Sequence, residues 1–231
     1  AFNIRGQMNW SNLGPESPFL ASLLEDERIC GAAEQLLGND VIGVSSNCNA
    51  FAGDRTEWHP DTGDPNYYGA KFLIYPQFLD ENSGALRVIP GSNHTVYSDE
   101  LRRMGLSGSP HSGESSYLSK SGLEIKDIPC YVCRTEPGDV IIFDYKIWHS
   151  TWGGSKDRRM ISYNFSKNPK TPEEEKLMSE MVEVDRQIRE SLRSPGLQYY
   201  PEWVANPERN ERRERWIKWL REKGAFEAPQ N

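Results

Sequence analysis

A chain of 231 residues with 36% hydrophobic and 11% aromatic side chains can bury one core of the larger β type, and reads as a single domain. The formal net charge of −7 argues against nonspecific binding to nucleic acid or to an anionic membrane. No run approaches the ~20 apolar residues of a membrane-spanning helix, and the opening Ala1-Phe2-Asn3-Ile4-Arg5-Gly6 lacks the pattern of a signal peptide, so the expectation is a cytoplasmic protein.

In chain order, residues 17–37 predict a helix, with Phe19, Leu20, Leu23, Leu24, Ile29, Ala33, Leu36 and Leu37 at helical spacing and Gly38 as its stop. Residues 41–52 read as a strand on which Asn47 and Asn49 share a face, a candidate polar pocket wall. That strand leads into Thr56-Glu57-Trp58-His59-Pro60-Asp61. On an extended segment residues 59 and 61 leave the same face. One imidazole and one carboxylate then supply two of the three ligands of a 2-His-1-carboxylate site, the facial triad of non-heme Fe(II) enzymes. The third ligand has to be a histidine that a sheet returns from far downstream, and the chain has four histidines: His59, His94, His111 and His149.

Strands are expected over 69–79, where Lys71, Leu73 and Tyr75 share one face, and over 84–90. Residues 95–128 are rich in Ser and Gly with few large apolar residues, which predicts a long functional insertion without core packing. After it, Cys130-Tyr131-Val132-Cys133 has CxxC spacing, but no second pair accompanies it and it lies in a β-like run. Reduced cysteines are the plainer reading. A Pro137-Gly138 turn opens an apolar run that ends on Trp148-His149, which places His149 at a strand end and makes it the best third ligand. Nine residues later Arg158 opens another strand-like run, Arg158-Arg159-Met160-Ile161-Ser162-Tyr163-Asn164-Phe165. A guanidinium near a metal suits a dicarboxylate, which its planar fork grips with two hydrogen bonds.

Beyond Phe165 the pattern turns helical. Thr171-Pro172-Glu173-Glu174-Glu175 is a helix start, with a cap, a proline in the first turn and acids at the positive end of the dipole. A second helix is expected near 207–223, pinned by Trp216, Trp219 and Leu220, with its arginines interleaved with glutamates on a solvated, ion-paired face.

Taken together, Trp58-His59-Pro60-Asp61, the stretch Glu81-Asn82-Ser83-Gly84-Ala85-Leu86-Arg87-Val88-Ile89-Pro90-Gly91-Ser92-Asn93-His94, Pro137-Gly138-Asp139-Val140, and His149 with Arg158 resemble the phytanoyl-CoA dioxygenase family of Fe(II)/2-oxoglutarate oxygenases. The chain departs from the family at Ser83, where an Asn usually precedes the Gly, and at Asn93, inserted before a loop histidine, here His94, that is not a ligand. The family usually carries more chain before its His-x-Asp.

The resemblance implies a mainly β fold with flanking helices, a cupin-like jelly roll known as the double-stranded β-helix. Its core would span about 41–166, with a lid over the substrate mouth at about 95–128 and C-terminal helices at about 171–223. It implies Fe(II) on His59, Asp61 and His149, with 2-oxoglutarate and O₂ in the open positions, and hydroxylation of a small-molecule substrate with release of succinate and CO₂. The family spacing of an Arg seven residues before an aromatic selects Arg158, before Phe165, over Arg159 as the anchor for 2-oxoglutarate. Thr151 matches a position whose hydroxyl contacts the cosubstrate, and Lys71, Tyr75 and Asn49 are further candidates for the pocket. Because Asp61 is intact, halogenation is not expected; related halogenases replace that carboxylate by a small residue. Two other readings remain open from the residues alone: a cupin-like metal protein such as an epimerase or cofactor-independent dioxygenase, and a non-catalytic binding module. Neither the substrate nor the oligomeric state is legible.

Overall fold

The computed structural model describes residues 2–4, 7–51, 55–106, 117–154, 158–191 and 198–226. Strands β1 (Phe2–Ile4) and β2 (Gln7–Ser11) precede helices α1 (Pro18–Leu23) and α2 (Cys30–Leu37). Next come β3 (Ile42–Phe51), β4 (Thr56–His59), β5 (Gly69–Ile74) and β6 (Leu86–Val88). An excursion carries α3 (Thr95–Arg103), α4 (Tyr117–Ser121) and a 3-10 turn at Ile125–Asp127. The chain then returns as β7 (Tyr131–Cys133), β8 (Val140–Asp144), β9 (His149–Thr151) and β10 (Arg158–Ser166), and closes with α5 (Pro172–Ser191), α6 (Pro201–Ala205) and α7 (Glu211–Glu222).

These strands form two antiparallel sheets, ordered β1-β2-β3-β10-β5-β8 and β4-β9-β6-β7. From β3 on, the chain distributes its strands between the two sheets, and the result is a double-stranded β-helix. Register decides which side chains face inward. Ser162 of β10 lies beside Leu73 of β5 and Asn47 of β3, Asn164 beside Lys71, and Lys71 beside Phe143 of β8. With a side-chain period of two, Arg158, Met160, Ser162 and Asn164 therefore share one face with Asn47, Asn49, Lys71, Leu73 and Phe143. That face looks toward the smaller sheet, and Leu73, Tyr75, Leu79, Ala85, Leu86 and Phe143 are buried between the two.

On the opposite face Phe72, Tyr163 and Phe165 are buried under the helices, against Leu24, Ala33, Trp216 and Leu220. Gly43 belongs to this contact: a Cβ there would lie 2.9 Å from the Trp216 ring, whose Nε1 donates to the Val41 carbonyl at 2.8 Å. Trp216, Trp219 and Leu220 pin α7 as expected. The arginine-rich face of α7 is less solvated than its composition suggests. Arg213 is buried, with a two-point contact to buried Glu25 and a third to Glu208, while Arg212 reaches Glu27 and Glu34. The acidic partners come from the N-terminal segment as well as from α7's own neighbourhood, so this face docks the helix rather than solvating it.

Several expected elements are trimmed for identifiable reasons. The helix expected over 17–37 is broken in two, because the Asp26 carboxylate accepts from the Arg28 backbone N–H at 2.9 Å, a side-chain turn that competes with helix hydrogen bonding. The strand expected over 69–79 stops at Ile74, two residues before Pro76, which has no N–H to give a ladder. In α5, Thr171 caps as predicted, its hydroxyl accepting from the Glu174 N–H at 3.2 Å. Residue Asn210 starts α7 by accepting from the Arg213 N–H at 3.1 Å.

The segment 95–128 departs furthest from expectation. Its composition predicts no core packing, yet Leu101, Leu106, Leu118 and Ile125 are buried in one cluster with Trp58, Ile89 and Trp148. Apolar residues are few there, but these four are committed to one layer, and the Ser98 hydroxyl accepts from Trp148 Nε1 at 2.9 Å. Residues 107–116 of the expected lid lie outside the described residues. All four cysteines are free; burial pushes the Cys133 thiol up to about 11, and Cys130 Sγ accepts from Arg87 at 3.6 Å. No helix among the described residues is long and apolar enough to cross a membrane.

Candidate metal centre

His59 and His149 are direct cross-strand partners at the adjoining ends of β4 and β9, with ring centroids 4.4 Å apart. Alternation sends both imidazoles inward and sends their neighbours Trp58 and Trp148 outward, into the layer beneath α3 and α4. Asp61 lies two residues past β4. Its N–H and that of Thr62 donate to the Tyr145 carbonyl at 2.8 and 3.3 Å, so the loop after β8 holds the backbone that carries the carboxylate.

Each imidazole is oriented through its Nδ1, which pairs with the carbonyl two residues earlier: His59 with Glu57 at 2.7 Å and His149 with Ile147 at 3.0 Å. A carbonyl only accepts, so Nδ1 is the donor in both rings and Nε2 is the nitrogen left for another partner, the arrangement typical of histidines that ligate metals. Burial pushes His149 down to about 4, so its ring is neutral at physiological pH. Desolvation works against the Asp61 carboxylate, but the Lys71 ammonium holds it below the ordinary value. Its Oδ2 is buried without a hydrogen-bond partner and lies 3.9 Å from His149 Nε2. One ligand atom from each of His59, Asp61 and His149 falls within 4.8 Å of the others. Two imidazoles and a carboxylate with an orphaned oxygen fit a divalent metal of the non-heme iron type.

Arg158 is fully buried, and its Nη1 donates to the Gly84 carbonyl at 2.7 Å. Burial draws its guanidinium below the ordinary value, while Tyr75 opposes that shift. Tyr75 is itself buried, its phenol pushed up to about 12 and therefore protonated. Arg159 points the other way and is exposed, with its backbone N–H on Gln77. The structure thus places Arg158 and Tyr75 together on the inner face.

The remaining candidates sit as follows. Thr151 is buried, and its hydroxyl accepts from the Thr56 N–H at 3.0 Å and shares a 2.9 Å hydrogen bond with the Thr56 hydroxyl, tying β4 to β9. Asn49 is half-buried beside Met160, and Asn47 is exposed beside Ser162. Lys71 reaches Asp61 directly, Nζ to Oδ1 at 2.8 Å. His94 is exposed at the start of α3, away from the cluster, and His111 lies outside the described residues. Sequence reasoning missed Phe143, whose ring centroid is 4.9 Å from that of His149; its place on the inner side of β8 was available from alternation. The carbonyls of Glu57, Ile147 and Tyr145 that orient the cluster carry no side-chain signal at all.

Curated relatives match over shorter stretches. The ectoine dioxygenase of Streptomyces avermitilis is 33% identical over 89 residues, 34% of this chain and 30% of the relative. That of Sphingopyxis alaskensis is 28% identical over 156 residues, 60% of this chain and 50% of the relative. The chain therefore spans between about a third and a half of the length of these relatives. Among solved structures, HygX from Streptomyces hygroscopicus with nickel and 2-oxoglutarate bound superposes with a TM-score of 0.53 at 14% identity, over 71% of each chain. AviO1 from Streptomyces viridochromogenes gives 0.50 at 18% identity, over 71% of this chain and 68% of its own. At that identity the likeness is one of fold, the same double-stranded β-helix. The family match reaches further: residues 4–161 fit Phytanoyl-CoA dioxygenase (PhyH), a stretch that runs from β1 into β10 and takes in all three clustered side chains, so the chain belongs to the phytanoyl-CoA dioxygenase family.

Proposed function

We propose that this chain is an Fe(II)- and 2-oxoglutarate-dependent oxygenase that hydroxylates a small organic substrate. The observation that carries this reading is the convergence of His59, Asp61 and His149, both Nδ1 atoms engaged by backbone carbonyls and Asp61 Oδ2 left without a partner. A ferrous ion held there, with 2-oxoglutarate and O₂, supplies oxidative decarboxylation to succinate and CO₂ coupled to insertion of one oxygen atom into a substrate C–H bond.

The protein's own part is to hold and orient. His59, Asp61 and His149 present one face of ligand atoms and leave the opposite face open. Arg158 offers the distal carboxylate of the cosubstrate a buried cation, with the protonated Tyr75 phenol beside it. Leu73 and Phe143, buried between the two sheets, make the inner wall apolar. Thr151, two residues past His149, ties β9 to β4 through Thr56; Asn49 and Asn47 extend the inner face with amide groups suited to a polar substrate.

The test is succinate formation by protein reconstituted anaerobically with Fe(II), then given O₂, 2-oxoglutarate and a panel of small polar compounds, ectoine included because curated relatives are named for it. Succinate that depends on both Fe(II) and 2-oxoglutarate, and rises with one substrate, is the expected outcome. Iron uptake without any such succinate would point instead to a cupin-like metal protein of other chemistry; no iron uptake would point to a binding module.

A further inference from the structure

We propose that Lys71 is a positioning residue that keeps Asp61 a one-oxygen metal ligand, by occupying Oδ1 and leaving Oδ2 alone to face the two imidazoles. The inference rests on the metal-centre reading above. A carboxylate can bind a metal through one oxygen or chelate through both. In a facial triad the difference matters, because a chelating carboxylate takes a position that the cosubstrate or O₂ needs.

The two oxygens of Asp61 have different surroundings. Oδ1 accepts from Lys71 Nζ at 2.8 Å, and both side chains are only about a fifth exposed, at 20% and 21%. Oδ2 is buried, has no hydrogen-bond partner and lies 3.9 Å from His149 Nε2. The main chain at Asp61 is already held by the Tyr145 carbonyl, so rotation of the carboxylate is the freedom that remains, and a charge-assisted hydrogen bond removes it. Lys71 can do this from a rigid base. It sits inside β5, paired to Asn164 on one side and Phe143 on the other, with its ammonium 5.9 Å from the Tyr145 ring centroid. The contact spans ten residues of sequence, across the loop between β4 and β5. A lysine that only neutralised charge would need no particular oxygen; this one is on the oxygen turned away from His149.

Removing Lys71 therefore has two opposite effects. A freed Oδ1 can chelate, and a cation beside the metal is gone, so the metal is held as tightly or more tightly. The cosubstrate loses a position and binds more weakly. The experiment titrates apoprotein anaerobically with Co(II), which reports coordination number through its d–d absorption, and then titrates the Co(II) protein with 2-oxoglutarate. Wild type, Lys71→Met, Lys71→Arg and His149→Ala are compared.

For Lys71→Met the expected result is unchanged or up to roughly tenfold tighter Co(II), at least roughly tenfold weaker 2-oxoglutarate, and an altered d–d band in the binary complex. Lys71→Arg, which can still donate to Oδ1, should restore the wild-type spectrum. Weakening of both affinities together would assign Lys71 a merely structural role and overturn the proposal, as would wild-type spectra and affinities in Lys71→Met. If wild type takes up no Co(II), or His149→Ala keeps it, the metal-centre reading fails and the proposal with it. That failure is distinguishable, because it appears before any Lys71 variant is compared.

Discussion

The carbonyl of Gly84 accepts a 2.7 Å hydrogen bond from Arg158 Nη1, joining the turn before β6 to the first residue of β10 across 74 positions of sequence. Gly84 has φ +93, and a Cβ there would sit 2.8 Å from the Gly154 Cα and 2.9 Å from Arg158 Nη1. The glycine is thus required twice, for its backbone conformation and for the close approach of the arginine. Gly84→Ala should destabilise the protein by about 1–3 kcal/mol and displace the guanidinium. Denaturant midpoints and 2-oxoglutarate affinity, measured on the same preparation, should both fall.

Arg158 and Arg159 differ in burial and direction, so their substitutions should separate. Arg158→Ala should weaken 2-oxoglutarate binding roughly a hundredfold, about 2–3 kcal/mol for a buried charge-assisted contact. Arg159→Ala should change it less than about twofold, as expected for an exposed residue. The reverse result in a cosubstrate titration would mean that the inner face of β10 has been assigned one residue out of register.

The metal should depend on each of the three ligands. His59→Ala and His149→Ala should lose nearly all bound iron, measured by metal analysis after anaerobic loading, while circular dichroism stays that of the wild type. Full iron retention in either variant would remove that histidine from the centre.

Glu25 and Arg213 form a buried pair that ties the turn after α1 to α7, with side chains 4% and 6% exposed. Arg213→Met leaves Glu25 buried and without its two-point partner, and should destabilise by about 3–5 kcal/mol. Adding Glu25→Leu should recover much of that loss. A double variant no more stable than the single one would show that the site needs the charges rather than the volume.

The excursion between β6 and β7 is predicted to carry stability, contrary to its composition. Leu101→Ala and Leu118→Ala should each lower stability by about 2–4 kcal/mol, read as a shift in melting temperature. Unchanged melting would return the segment to the status of a loop without core packing.

The convergence of His59, Asp61 and His149 was legible in the sequence because it obeys local rules. A His-x-Asp pair on an extended segment must present both groups on one face, and an apolar run opened by Pro137-Gly138 had to deliver His149 at a strand end. Arg158 rather than Arg159 followed from family spacing, and register put it on the inner face with Lys71, Leu73 and Tyr75. The strands over 41–52 and 84–90 and the cap at Thr171 were visible for the same reason: each depends on residues close in the chain.

What the sequence could not supply was pairing between distant residues. Nothing local says that Lys71 would close on Asp61, that Arg213 would be buried against Glu25, or that Leu101, Leu106, Leu118 and Ile125 would meet Trp58 and Trp148 in one layer. Those outcomes depend on where the two sheets and the C-terminal helix come to rest. The carbonyls that orient His59 and His149 belong to the backbone and leave no mark in residue type. The sequence by itself determined which groups could bind a metal; only the tertiary structure decided which oxygen of Asp61 is left to do so.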